Sequence, residues 1–115
     1  MGRGRLLSFD DDLMGEVSRG ARALVVCPDI RGMAYDLDAQ SRLSEAEGLA
    51  LAIGITIAES FVLPVREVRP NLLFGAGQVD NIAIACEQNE AELVVVDGAL
   101  TPIQQRNLED KLSRK

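Results

Sequence analysis

The chain has 115 residues, the size of one ordinary domain, which excludes a self-contained large enzyme. At 47% hydrophobic and 26% charged residues its composition is globular, and with three Phe, one Tyr and no Trp its core must be mainly aliphatic. Eighteen acidic against twelve basic residues leave a formal charge of -6, so any polyanion would have to be met by a local basic patch rather than by bulk attraction.

Residues 1–20 mix charge and glycine with a short Leu6-Leu7 pair and no sustained period, which predicts a flexible amino-terminal arm with at most a turn of helix over Asp12 to Val17. From Ala21 the character changes. Ala23 to Cys27 is a short apolar run stopped by Pro28, the pattern of a strand buried on both faces. Asp29 to Asp38 reads as a loop. Over Ser41 to Ile53, Leu43, Ala46, Ala50 and Ile53 form one helical stripe with Leu49 beside it, while Arg42, Glu45 and Glu47 face away. Ser44 and Glu47 match a capping box, but Leu43 already belongs to the stripe, which moves the helix start toward Asp38 or Ser41. Gly54 ends the helix by tolerating positive φ.

Thr56 to Val65 is rich in β-branched and aromatic residues, with Phe61 and Leu63 on its more buried face and Pro64 suited to an edge or a strand end. After the connector Arg66 to Asn71, the run Leu72-Leu73-Phe74 predicts a minimal strand that enters Gly75-Ala76-Gly77 directly. Val79, Ile82, Ala83 and Cys86 then recur at helical spacing. Leu93 to Val96 is the clearest core strand, followed by an Asp97-Gly98 turn. Thr101-Pro102-Ile103-Gln104 supplies an N-cap hydroxyl, a first-turn proline and a capping-box glutamine for a helix to about Leu112, whose thin apolar face is Ile103, Leu108 and Leu112. The expected fold is α/β: a small, mainly parallel sheet of about four strands with helices on its faces, truncated before a final strand.

Chemistry-bearing patterns are few. The chain has no His, and Cys27 and Cys86 lie in apolar segments, as expected of reduced thiols in a cytoplasmic protein; they cannot complete a zinc site. Carboxylate pairs such as Glu45/Glu47 and Glu109/Asp110 do not converge on a helix, so no catalytic or metal-binding residue is assigned. Gly75-Ala76-Gly77-Gln78 leaves two readings open, a structural tight turn or an anion contact at a helix start. It lacks the Gly-Lys-Ser/Thr ending that grips phosphate and Mg²⁺. Arg66 and Arg69 flank this turn, and Asn71 and Gln78 add amides able to bond bases or phosphates, against the plain alternative of scattered surface charge. Asp97 follows the core strand at the carboxyl edge, where a turn or cap role fits it best. Thr101, Gln104, Gln105, Arg106 and Asn107 form a polar cluster on the first turns of the last helix.

Two stretches carry a family resemblance. Asn71-Leu-Leu-Phe-Gly-Ala-Gly-Gln-Val-Asp, and Ala91 to Glu109 with Leu100, Thr101, Pro102, Gln104, Gln105, Arg106, Asn107 and Leu108 in place, resemble the amino-terminal domain of HflX-type GTPases. The likeness covers nearly all of residues 23–115. One departure is Gln78, where the family usually carries Lys, which removes a positive charge from a phosphate contact.

The resemblance implies that residues 21–115 are an HflX-type amino-terminal domain whose linker helices and P-loop GTPase domain lie in a longer cytoplasmic protein. It implies binding to the large ribosomal subunit and its rRNA, in ribosome splitting or rescue, and contact with the protein's own GTPase domain. DNA and integral membrane contact are not implied. GTP and Mg²⁺ would serve the full-length protein, with no cofactor in this part. RNA or phosphate contact falls on Arg66, Arg69, Asn71, Gly75, Gly77, Gln78 and Arg106, and support of the helix start and loop on Asp97, Thr101, Gln104 and Gln105. Two other readings are an ATP-binding module built on the glycine turn and a purely structural domain that orients the GTPase.

Overall fold

The computed structural model describes residues 5–8 and 20–113. The elements in chain order are β1 (Arg5–Ser8), β2 (Arg22–Ile30), α1 (Ala39–Ala52), β3 (Thr56–Val65), α2 (Ala76–Asn89), β4 (Leu93–Val96) and α3 (Pro102–Ser113). They form a four-stranded sheet in the order β1-β4-β2-β3, with every pairing parallel.

This order winds the chain in two directions. From β2 it passes through α1 to β3 on one side; from β3 it returns through α2, across β2, to β4. Right-handed crossovers then require α1 on one face and α2 on the other. The two cores follow that division. Leu43, Ala46 and Ala50 of α1 pack with Ala23, Val25, Cys27 and Val95. Val79 and Ile82 of α2 and Leu108 and Leu112 of α3 pack with Leu24, Val26, Val94, Val96 and Phe74. The alternation along β2 and β4 explains why both read as unbroken apolar runs: each strand is covered twice.

Several local expectations change. The fourth strand is not Leu72–Phe74 but Arg5–Ser8, which pairs with β4 from Arg5↔Leu93 to Ser8↔Val96. Part of the expected arm is therefore sheet, and the helical turn considered for Asp12 to Val17 lies outside the described residues. At Leu72–Phe74 the Phe74 N–H donates to the Leu72 carbonyl at 2.7 Å, closing a γ-turn around Leu73, which has φ 68°. That is the rarer, strained hand of γ-turn, and Leu73 and Phe74 are buried in the core beneath it.

Pro28 does not stop β2, which runs on to Ile30. The last β2–β4 register pair is Val26↔Val96, so the Pro28 nitrogen, aimed to the same side as that of Val26, faces a position where β4 has already ended and no ladder bond is lost. Pro64 lies on β3, which pairs with β2 alone, and its nitrogen faces the open edge.

Helix α1 starts at the Asp38 cap, whose Oδ1 accepts the Ser41 N–H at 2.8 Å, and Ser44/Glu47 form no capping box; Glu47 instead accepts from the Ser60 hydroxyl of β3. Leu49 is exposed, whereas Arg42 turns inward. The α1 stop at Gly54 has φ 88°. On α3, Ile103 does not join Leu108 and Leu112 on the apolar face: it is 62% exposed, and Gln104 is buried instead.

Candidate nucleic-acid interface

The carboxyl end of β3, the connector 66–74 and the start of α2 enclose a shallow depression of about 380 Å³ lined by Pro64, Arg66, Glu67, Arg69, Gly75 and Gln78. Four residues picked out in the sequence, Arg66, Arg69, Gly75 and Gln78, thus meet at one place, and Glu67 adds a negative charge between the two arginines. Gly75 caps α2 from extended backbone, and Gln78 reaches back so that its Oε1 accepts the Gly75 N–H at 3.2 Å. A Cβ at Gly75 would meet that oxygen at 3.9 Å, and one at Gly77 would meet nothing within 4 Å. Neither glycine is demanded by backbone strain or crowding.

A second depression of about 290 Å³ lies between the connector and α3, lined by Asn71, Leu72, Asn107, Asp110 and Lys111. The structure places Asn71 here, on the other side of the connector from the arginine group. Arg106 and Gly77 are exposed but line neither depression.

The connector is tied to both flanking helices. Arg69 and Leu73 exchange backbone bonds, Arg69 N–H to the Leu73 carbonyl at 3.1 Å and Leu73 N–H to the Arg69 carbonyl at 2.9 Å. The start of α3 is a full reciprocal cap: the Thr101 hydroxyl accepts the Gln104 N–H at 3.1 Å and Gln104 Oε1 accepts the Thr101 N–H at 3.0 Å. The Gln104 amide then donates to the Arg69 carbonyl at 3.1 Å. The Gln105 N–H donates to the Thr101 carbonyl at 2.9 Å, the ordinary helix bond.

Asp97 stands apart, just past the end of β4, where β2 continues beyond it. Its Oδ2 lies 3.9 Å from the Cys27 sulfur, and its N–H donates to the Val26 carbonyl at 2.9 Å. Burial pushes the Cys27 thiol up, opposed by the nearby Arg42 guanidinium and assisted by Asp97 and Asp29. The Arg42 guanidinium fills this corner, donating to Asp29 at 2.6 Å and to the Pro28 carbonyl at 3.2 Å. Arg42 is off the apolar stripe of α1, which is why its helical position predicts an outward side chain; its partner Asp29 lies 13 residues away, out of reach of helical periodicity. Glu67 was likewise overlooked, although it lies between the two arginines in the chain.

Among the described residues no group of three or more His, Cys, Asp and Glu could hold a metal ion, and no helix is long and apolar enough to cross a membrane. The Gly75-Ala76-Gly77-Gln78 turn lacks the Lys and Ser/Thr that hold a nucleotide's phosphates and Mg²⁺, so these residues do not fit GTP with its metal.

A family model described as GTP-binding GTPase N-terminal matches residues 40–115. The chain is similar to the GTPase HflX of Magnetococcus marinus, 41% identical over 76 residues that make up 66% of this chain and 18% of that protein. It is also similar to the GTPase HflX of Treponema denticola, 36% identical over 69 residues, 60% of this chain and 18% of that protein. The chain thus corresponds to only a small part of these curated relatives.

Proposed function

The chain belongs to the GTP-binding GTPase N-terminal family, and from that premise we propose that it is the RNA-facing domain of an HflX-type GTPase, binding the large ribosomal subunit during splitting or rescue of ribosomes. In this reading the domain recognises and does not catalyse. Hydrolysis of GTP with Mg²⁺ belongs to the GTPase domain of the longer cytoplasmic protein, which is also this domain's intramolecular partner.

The observation that carries the proposal is the convergence of Arg66 and Arg69 with the open start of α2 on one depression, in a chain whose net charge is -6. On an acidic molecule a paired cationic loop supplies the local potential that phosphates need, and the α2 start adds backbone donors and the positive end of a helix. Arg106 on α3, Asn71 in the second depression and Gly77 on α2 lie outside this depression and in this reading contact RNA separately from it, while Gln78 lines the depression itself. Gln78, uncharged, adds no attraction to this depression, and its amide bonds the Gly75 N–H and the Pro64 carbonyl.

The test is binding of the full-length protein to purified large ribosomal subunits, compared with the triple variant Arg66→Ala/Arg69→Ala/Arg106→Ala. A loss of tenfold or more, about 1.4 kcal/mol, is expected. Unchanged binding would favour a purely structural domain, and saturable ATP binding by the isolated chain that is lost in Gly77→Val would favour a nucleotide module.

A further inference from the structure

The connector between β3 and α2 carries both arginines, yet the bonds that hold it come largely from outside it. Three side-chain carboxamides each donate to a backbone carbonyl of the connector or of the β3 end that leads into it: Gln78 to Pro64 at 2.6 Å, Gln104 to Arg69 at 3.1 Å and Asn107 to Asn71 at 3.1 Å. Two of these residues already serve at the third position of a helix, where their oxygens accept the N–H of the cap residue. A carboxamide can do both tasks at once because it carries an acceptor and two donors. A glutamate at either position would keep the cap and lose the donor.

The consequence is geometric. The three carbonyls bracket Arg66 and Arg69, and the Leu73 γ-turn closes the same segment from within. An unstrained loop would need fewer ties; this one holds a non-glycine residue at φ 68°, a conformation that persists only where its surroundings over-determine it. Both arginines remain exposed, so the ties fix the backbone beneath them without occupying their guanidinium groups.

We propose that Gln78, Gln104 and Asn107 are positioning residues that hold segment 64–71, the end of β3 and the first part of the connector, in one conformation, so that Arg66 and Arg69 are presented to RNA already ordered. The proposal rests on the RNA-facing reading above. The cationic pair supplies attraction; the amides remove the ordering cost that a mobile loop would pay on binding.

The experiment combines a measurement on the free protein with one on its complex. In the 115-residue chain, amide hydrogen exchange at Arg69 and Leu73 is compared between the wild type, the double variant Gln78→Met/Asn107→Leu, and Gln104→Glu, which retains the α3 cap. Exchange at these two amides is expected to rise about tenfold or more while the β2 and β4 amides stay protected. In the full-length protein, the double variant should bind large ribosomal subunits more weakly, by about tenfold if the ordered fraction falls to a tenth, with the same slope of log affinity against log salt, because both cations remain. Arg66→Ala/Arg69→Ala should instead flatten that slope.

Unchanged exchange at Arg69 and Leu73 would overturn the positioning role outright. Faster exchange with wild-type affinity, in a protein whose arginine variant binds poorly, would overturn it as well. If the arginine variant itself binds like the wild type, the RNA-facing reading fails, and the role in RNA presentation fails with it.

Discussion

The Arg42 guanidinium lies 3.5 Å from the centre of the Tyr35 ring while one of its nitrogens donates to Asp29 at 2.6 Å. It also donates to the carbonyls of Leu37 and Pro28, and the Tyr35 hydroxyl accepts the Ile30 N–H at 2.9 Å. One planar cation thereby pins the 31–38 loop across the carboxyl end of β2. A lysine could satisfy one of these partners but could not stack and fork at the same time. Arg42→Lys should lower unfolding stability by about 1–3 kcal/mol with no change of urea m-value. A loss below about 0.5 kcal/mol in urea unfolding would show the loop to be held by other means.

Asp38 links stability to pH. Its carboxylate accepts the Ser41 backbone N–H at the α1 start, a bond that holds its pKa below the usual carboxylate value. A carboxyl with a depressed folded pKa adds stability that is complete above its unfolded pKa and is lost as pH falls through the folded one. Between about pH 5 and pH 2 the wild type should therefore lose more stability than Asp38→Asn, which keeps a capping oxygen but does not titrate. Parallel denaturation midpoints for the two proteins across that range would contradict this assignment.

The half-buried Cys86 tests the packing of α2 on its face of the sheet. Burial pushes its thiol from 9.0 up to about 11. At pH 8 such a thiol holds about a hundredth of the thiolate of an unshifted one, so alkylation by iodoacetamide in the native chain should be slower than in urea by about that factor. Cys86 modified at the unfolded rate in native buffer would mean that α2 does not seal it.

Gly77 separates stability from recognition. It is helical, and an added Cβ meets nothing within 4 Å. Gly77→Ala should raise stability by about 0.5–1 kcal/mol through lower backbone entropy in the unfolded chain and better helix propensity. Thermal unfolding checks this directly. A destabilised variant would reveal a crowding or backbone requirement absent from the structure.

The parts of the fold that were legible in the sequence are those set by local chemistry. Thr101-Pro102-Ile103-Gln104 marks the start of α3 because cap, proline and N3 acceptor lie within four residues, and Gly54 marks the end of α1 because its φ of 88° suits glycine. Leu93 to Val96 is fully buried because both sheet faces are covered there. What escaped is set by distant partners. Arg5–Ser8 becomes a strand only because β4 offers it an edge, and Leu72–Phe74 forgoes a ladder because the Arg69–Leu73 bonds and the burial of Phe74 favour a γ-turn. Likewise, the arginine pair and the glycine turn were visible as residues near one another in the chain. The amide ties to Pro64, Arg69 and Asn71 join positions up to 36 residues apart, beyond the reach of local pattern.

The most direct measurement of the central claim is the salt dependence of large-subunit binding by the full-length protein, with and without Arg66→Ala/Arg69→Ala. If these side chains neutralise phosphates, the slope of log affinity against log salt should lose about 1.5–2 units in the variant, and its affinity should fall most at low salt. Identical slopes and affinities for the two proteins would contradict a phosphate-binding role for this connector.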